Sequence, residues 1–206
     1  VVVWGDCMLC LGIDLSSSSK RASTLAFVDQ RPYLTQLSTF KEYDELLSLL
    51  EVHKPGLIAI GAPMGLPAGL HCLEESCRCK PVNHHKGRVS EVELARMGIG
   101  CFFTVKSSII KSLIYRAIEM REALIEGGYR IIEAYPYATK MMVFGSEVPA
   151  KAKPESLPFL RDRLPTLVGG LDLYLDRLNH DRCDAVLSAY TAHLHLQNQT
   201  QALGVP

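Results

Sequence analysis

Short apolar blocks separated by polar turns dominate the first sixty residues of the chain. Residues 9–15, 22–28 and 33–38 each have the composition of a strand, and the turn at 29–32 joins the second and third as an antiparallel pair. Residues 57–60 form a continuous apolar run between breakers, which predicts a central strand buried on both faces. The pattern predicts a sheet whose first four strands come early in the chain.

Helical spacing of apolar residues appears after the third strand and again in the second half. Thr39 with Glu42 predicts a capping box for a helix that stops at Pro55. Ser107 is expected to cap a longer helix that ends at the Gly127-Gly128 pair. The remaining predicted elements are a strand at 129–134 and closing helices at about 159–178 and 181–196.

Residues 62–104 follow neither the helical nor the strand period, which predicts a long insertion after the fourth strand. The element order predicts one α/β domain over 1–206, with a mixed sheet flanked by helices. Residue 1 is Val and Met8 directly precedes the first strand, so we expect residues 1–7 to be an upstream extension.

The amino-acid composition and the charge balance limit which kinds of molecule the protein is expected to bind. The 48% of hydrophobic residues can supply a core, and 22 basic residues balance 22 acidic ones. This balance excludes the strongly basic surface of a protein that coats DNA without specificity, but not a local groove for nucleic acid. No apolar stretch is long enough to cross a bilayer and no basic-then-apolar leader opens the chain, so we expect a cytoplasmic protein with no membrane partner.

Four acidic residues lie where predicted elements begin or end. Asp14 ends the first strand and Glu133 ends the last, while Asp181 and Asp184 share one face of the final helix. Convergent carboxylates are the ligands that Mg²⁺ or Mn²⁺ requires, and two such ions can support phosphoryl transfer. The structural alternatives are a helix-dipole role for the pair and a turn-forming role for Asp14, which precedes four serines.

Four segments of the chain resemble the family called domain of unknown function 429, whose members are predicted nucleases of ribonuclease H-like fold. The closing stretch 181–193 also resembles the last helix of the RuvC Holliday-junction resolvases. These resemblances imply a ribonuclease H-like sheet with Asp14, Glu133, Asp181 and Asp184 near one divalent-metal centre. The segments are Gly12-Ile13-Asp14-Leu15-Ser16, residues 57–67, Ile132-Glu133-Ala134-Tyr135-Pro136 and His180-Asp181-Arg182-Cys183-Asp184-Ala185.

Gly61 departs from the pattern of this family. Members usually carry Asp at the end of the strand that here spans 57–60, and resolvases keep a metal-binding acid at the similar position. The resemblance therefore implies that this chain has lost one carboxylate of the expected ligand set, and Glu133 is the residue that would have to replace it.

A second group of metal-binding residue types lies inside the predicted insertion. Thiolates and imidazoles are the ligands of tetrahedral Zn²⁺, and the candidates are Cys72, Cys77, Cys79 and His84, with His71 and His85 nearby. The Cys-x4-Cys-x-Cys spacing is unusual for a zinc knuckle. The alternative is an ordered lid with free thiols and solvated histidines.

Basic residues near these groups are candidates for phosphate contact. Lys20 follows the serine run, and Arg88 belongs to a locally basic stretch of the insertion. The alternatives are a solvated surface and, for Arg88, an internal ion pair with Glu91. Residues 12–20 also resemble the first phosphate loop of sugar kinases and actin-like ATPases, but no second glycine-rich loop follows a strand.

These features together predict a metal-dependent nuclease acting on DNA or RNA, with Mg²⁺ or Mn²⁺ at the carboxylates and structural Zn²⁺ in the insertion. The alternative is a catalytically degenerate ribonuclease H-like module that binds nucleic acid or protein. A phosphate-loop ATP-binding domain is the third and least favoured hypothesis.

Overall fold

The described residues, 8–82 and 84–204 of the computed structural model, form one five-stranded mixed sheet. The predicted upstream extension at 1–7 lies outside them. The order is β3-β2-β1-β4-β5, in which β2 is antiparallel to β1 and β3 while β4 and β5 run parallel to β1. The predicted fold class, an α/β domain with a mixed sheet flanked by helices, is confirmed. The strands are β1 (Cys10–Asp14), β2 (Ser23–Val28), β3 (Leu34–Phe40), β4 (Leu57–Ile60) and β5 (Ile131–Glu133).

Six α-helices flank the sheet in the described part of the chain. They are α1 (Tyr43–His53), α2 (Val89–Arg96), α3 (Lys111–Glu126), α4 (Pro136–Phe144), α5 (Ser156–Arg163) and α6 (His180–Leu196). Short 3-10 turns follow α4 and α5, and a longer one spans Leu171–Arg177. None of the helices within 8–82 and 84–204 is both long and apolar enough to cross a membrane.

The sequence pattern misplaced several helix boundaries. Thr39 lies in β3 rather than at a cap, and α1 begins without a side-chain cap after Glu42. Ser107 does not cap α3, which starts four residues later. The helix predicted at 159–178 is broken, because the backbone turns left-handed at Gly170 (φ 78°). The predicted insertion contains the short helix α2, at whose start the amide and the Nε of Arg88 both donate hydrogen bonds to the carboxylate of Glu91.

Alternation along β1 divides the core between the two faces of the sheet. Leu11 and Ile13 point toward α1 and α3, whereas Cys10 and Gly12 point toward α6. On the first face, the buried partners of β1 include Leu25, Phe27, Ile58, Ile60, Leu46, Leu50, Ala117 and Leu124. On the second face, the core consists of Ala26, Val28, Ala59 and the inner surface of α6.

The backbone of α6 lies directly on Gly12. A Cβ atom at this glycine would stand 2.1 Å from the carbonyl oxygen of Ala185 and 2.1 Å from the amide nitrogen of Ala189. Ala185 and Ala189 are one helical turn apart, and the helix can come this close only because the strand has no side chain at Gly12. This contact fixes how close the first turn of α6 comes to the end of β1.

Gly12→Ala should lower the free energy of unfolding by about 3 kcal/mol, since the added methyl group overlaps backbone atoms that cannot rotate away. Chemical denaturation measures the effect. Gly100→Ala is the matched control, because a Cβ at Gly100 has no atom within 4 Å. Equal stability of the two variants would contradict the close packing of α6 on β1.

Candidate functional site

Asp14 is the last residue of β1 and pairs with Thr24 across the antiparallel neighbour β2. Its side chain shares the α6 face with Cys10 and Gly12, because every second residue of a strand points the same way. The carboxylate therefore faces the helix N-terminus that the sequence analysis associated with it.

The first turn of α6 places two further carboxylates near Asp14. The helix begins after Asn179, whose Oδ1 accepts a hydrogen bond from the amide of Arg182 at 2.9 Å. Burial, then the charges of Asp184 and Asp181, raise the pKa of Asp14 to about 7. The charges of Asp181 and Asp184 therefore act on Asp14.

Two lysines that the sequence analysis did not identify contact Asp184. Lys140 of α4 lies 3.4 Å from Oδ1 and is only 3% exposed, and Lys151 lies 2.8 Å from Oδ2. Both ammonium groups act to lower the pKa of Asp14, against the effect of the acids. Neither lysine belongs to a motif, but Pro136 at the first position of α4 was a signal for the missed helix that carries Lys140.

The edge of this site carries further polar groups. The guanidinium of Arg21 lies 4.0 Å from the carboxylate of Asp181. His180 precedes that acid; its Nδ1 is buried without a hydrogen-bond partner, and burial, followed by the charge of Lys151, lowers its pKa. Lys20 is exposed on the serine loop, which Arg116 of α3 holds through the carbonyl oxygens at positions 16 and 18.

Glu133 is not brought together with the three aspartates. It pairs with Ile60 across β4 and β5, so its side chain points to the face of α1 and α3, opposite to Asp14. Its carboxylate accepts two bonds from Arg88, at 2.7 and 2.6 Å, and one from the amide of Met64 at 2.7 Å. The structure gives Glu133 an anchoring role for the inserted segment.

Arg88, a predicted phosphate contact, is instead held between carboxylates. Its Nε lies 2.9 Å from Glu91, which confirms the internal ion pair that was the alternative. Glu91 is 2% exposed and also accepts hydrogen bonds from the amide and hydroxyl of Thr104. The arginine is therefore part of a buried network that ties α2 to β5, and we exclude it from the phosphate contacts.

Gly61 lies directly beside Asp14, on the same face of the sheet. Its amide donates to the carbonyl oxygen of Ile13 at 2.8 Å. A Cβ at this position would point toward α6, 3.1 Å from Oγ of Ser188 and 3.2 Å from Cγ of Pro136. An acidic side chain here would lie on the face of Asp14, whereas Glu133 lies on the other face.

The cysteines of the insertion come together with a different histidine from the one predicted. The ligand atoms of His71, Cys72, Cys77 and Cys79 all lie within 4.8 Å of one another. His84, the predicted fourth ligand, is not part of this group. Within the described residues, this is the one group of three or more such side chains whose ligand atoms are so close. Asp14, Asp181 and Asp184 do not form such a group.

Comparison with known proteins identifies no family for this chain. No family model matches the sequence and no curated protein matches it, so the resemblance to domain of unknown function 429 gains no support from them. Among solved structures, the chain is similar to one described as "Thermus thermophilus RuvC structure", with a TM-score of 0.47 and 14% identity. The match covers 96% of this chain and 100% of the other. It carries no argument about activity.

Proposed function

We propose that the protein hydrolyses phosphodiester bonds of DNA or RNA with one Mg²⁺ or Mn²⁺ held by Asp14, Asp181 and Asp184. The observation that carries this proposal is that burial at the end of β1, followed by the negative charges of Asp184 and Asp181, raises the pKa of Asp14 to about 7. Ionised together, these groups repel one another, and a divalent cation relieves that repulsion.

The donor set suits one hard cation. Carboxylate oxygens are the preferred ligands of Mg²⁺ and Mn²⁺, and Asp181 and Asp184 share one helix face beside Asp14. A second ion lacks ligands, because Gly61 has no side chain and Glu133 is bound to Arg88 on the other face. When bound, the ion would supply an activated water and polarise a phosphate oxygen.

The two lysines determine which carboxylate oxygen of Asp184 can bind a metal ion. Lys140 is buried and remains beside Oδ1, whereas the side chain of Lys151 is 54% exposed and is free to leave Oδ2. Release of Lys151 would open one carboxylate oxygen and present an ammonium group to a phosphate of the substrate. We therefore assign Lys151 to binding the scissile phosphate.

Cations beside the carboxylates would hold the nucleic-acid backbone. Arg21 lies at the edge of Asp181, and Lys20 precedes it on the same exposed loop. Phosphate contacts of this kind position a strand without reading its sequence. A local cluster of basic residues is compatible with the zero net charge of the whole chain.

The second candidate function is a degenerate module that binds nucleic acid or protein without cleaving it. The ion pairs of Asp184 with Lys140 and Lys151 favour this alternative, because two ammonium groups already supply the charge that a metal would bring. The missing side chain at Gly61 points in the same direction. Metal titration separates the two functions.

Calorimetric titration of the full chain with Mn²⁺ should show one site, and Mn²⁺ should support slow cleavage of single- or double-stranded DNA or RNA. Asp184→Asn should abolish both binding and cleavage, since an amide keeps the shape but lacks the charge. Glu133→Gln should leave the Mn²⁺ affinity within about twofold, because that acid lies on the other face. Asp172→Asn, at an exposed position of the longer 3-10 turn at Leu171–Arg177, is the surface control.

Two results would contradict this assignment. Loss of Mn²⁺ binding in Glu133→Gln would return that residue to the ligand set. Absence of both binding and cleavage in the unmodified protein would favour the degenerate module.

Asp14→Asn should stabilise the ion-free protein at pH 8. The pKa of Asp14 is raised from 3.8 to about 7, so its ionised form destabilises the fold increasingly as the pH rises through this window. The gain in the free energy of unfolding should be at most about 4 kcal/mol at pH 8 and should vanish near pH 4. Denaturation in chelator at both pH values tests this, with Asp172→Asn as the control; a gain independent of pH would contradict it.

Gly61→Asp should raise the Mn²⁺ affinity and the cleavage rate by at least about tenfold, because it adds a carboxylate beside Asp14. The space is tight, so Gly61→Ala is the matched control for the cost of the Cβ atom near Ser188. Equal Mn²⁺ affinities of the two variants, measured by the same titration, would show that this position does not reach the ion.

A further inference from the structure

Four ligand atoms converge in a nine-residue segment of the insertion, away from the carboxylates. Sγ of Cys72 and Sγ of Cys79 are 4.0 Å apart, and Sγ of Cys77 lies 3.2 Å from Nε2 of His71. A tetrahedral Zn²⁺ with ordinary bond lengths separates two sulfurs by about 3.8 Å and a sulfur from a nitrogen by about 3.6 Å. The observed sulfur–sulfur separation is slightly longer than the first value, and the observed sulfur–nitrogen separation is slightly shorter than the second.

Neither a disulfide nor an isolated hydrogen bond accounts for this arrangement. All the cysteines among the described residues are free, and 4.0 Å between Cys72 and Cys79 is about twice the length of an S–S bond. The amide of Cys79 points to Sγ of Cys77 at 3.5 Å, so the backbone turns around that sulfur. Such a turn brings two ligands only one residue apart onto the same centre, which resolves the unusual Cys-x-Cys spacing.

The position of the cluster explains what a metal would do there. The described residues between β4 and α2, 61–82 and 84–88, contain neither a helix nor a strand. A segment of this length has few backbone hydrogen bonds of its own and needs another source of order. Next to the cluster, Leu73 is fully buried and its amide donates to the hydroxyl of Tyr115, while Lys106 binds the carbonyl oxygen of Cys77.

We propose that His71, Cys72, Cys77 and Cys79 bind one structural Zn²⁺ that crosslinks the inserted segment. Three sulfur ligands and one imidazole select Zn²⁺ over the hard cations that suit the aspartates, so the protein separates two classes of metal by ligand chemistry. With four protein ligands the site is closed, so the role of the ion is structural and it has no open position for a substrate. The crosslink holds the segment that carries Met64 and Arg88 to Glu133.

Elemental analysis of the full chain, purified under reducing conditions without chelator, should find one zinc per molecule. Replacement by Co²⁺ should give the visible bands of tetrahedral cobalt and a thiolate-to-cobalt charge-transfer band. His71→Ala should weaken zinc binding by at least about tenfold, whereas His84→Ala should leave it unchanged. Cys77→Ser should likewise weaken zinc binding. Its matched control, Cys101→Ser, should not, because Cys101 is a half-buried thiol outside the cluster.

Chelation should make the segment 61–88 sensitive to protease. If a variant fails to fold, the metal content and the cobalt spectrum of the unmodified protein still test the proposal. Zinc-free protein that gives no thiolate-to-cobalt band would overturn the proposal, as would a Cys72–Cys79 disulfide found by mass spectrometry after purification. An equal loss of zinc in the His71 and His84 variants would overturn the ligand assignment. Nuclease activity enters none of these readouts, so the result is independent of the proposed function.

Discussion

The contact of α6 with Gly12 determines where every group of the candidate site lies. A helix normally approaches a sheet at a distance set by side chains, but here its backbone reaches the strand because Gly12 contributes none and Ala185 and Ala189 contribute little. Asp184 immediately precedes the first of these alanines, so the closest point of packing is also the start of the acidic turn. The geometry of the carboxylates is thus a consequence of core packing between one strand and one helix.

The two faces of the sheet use their acidic residues for different purposes. On the α6 face, burial and the negative charges of Asp184 and Asp181 raise the pKa of Asp14. On the other face, Glu133 is neutralised by Arg88 and anchors the insertion through the amide of Met64. Glu133 and the three aspartates all lie where a strand ends or a helix begins, so their places in the sequence look alike. Their surroundings differ, because Glu133 faces a guanidinium whereas Asp14 lies near other carboxylates.

The extent to which sequence could predict this structure follows from the range of the interactions. The strands and α6 were predicted because their apolar periods are local, and the proximity of Asp14 to the acidic turn followed from elements ending at one edge. The face on which Glu133 lies depends on the register with β4, which no local pattern reports. Lys140 and Lys151 were missed for a related reason, because each meets Asp184 only through tertiary folding. His71 was named among the candidates, but a loop without periodicity gave no basis for choosing it over His84. Gly61 was identified by resemblance, and the structure adds the direction in which its side chain would point.

The burial of Lys140 against Asp184 has a consequence for how the protein matures. A carboxylate that is 8% exposed would ordinarily oppose folding until a counter-ion arrived, but this one is accompanied by an ammonium group that folds with it. The ammonium group of Lys140 therefore balances the charge of Asp184 in the absence of a metal ion. Assembly of the sheet and helix therefore needs no divalent ion to neutralise this carboxylate. If the proposed ion binds, its supply would govern the occupancy of the site rather than the yield of folded protein.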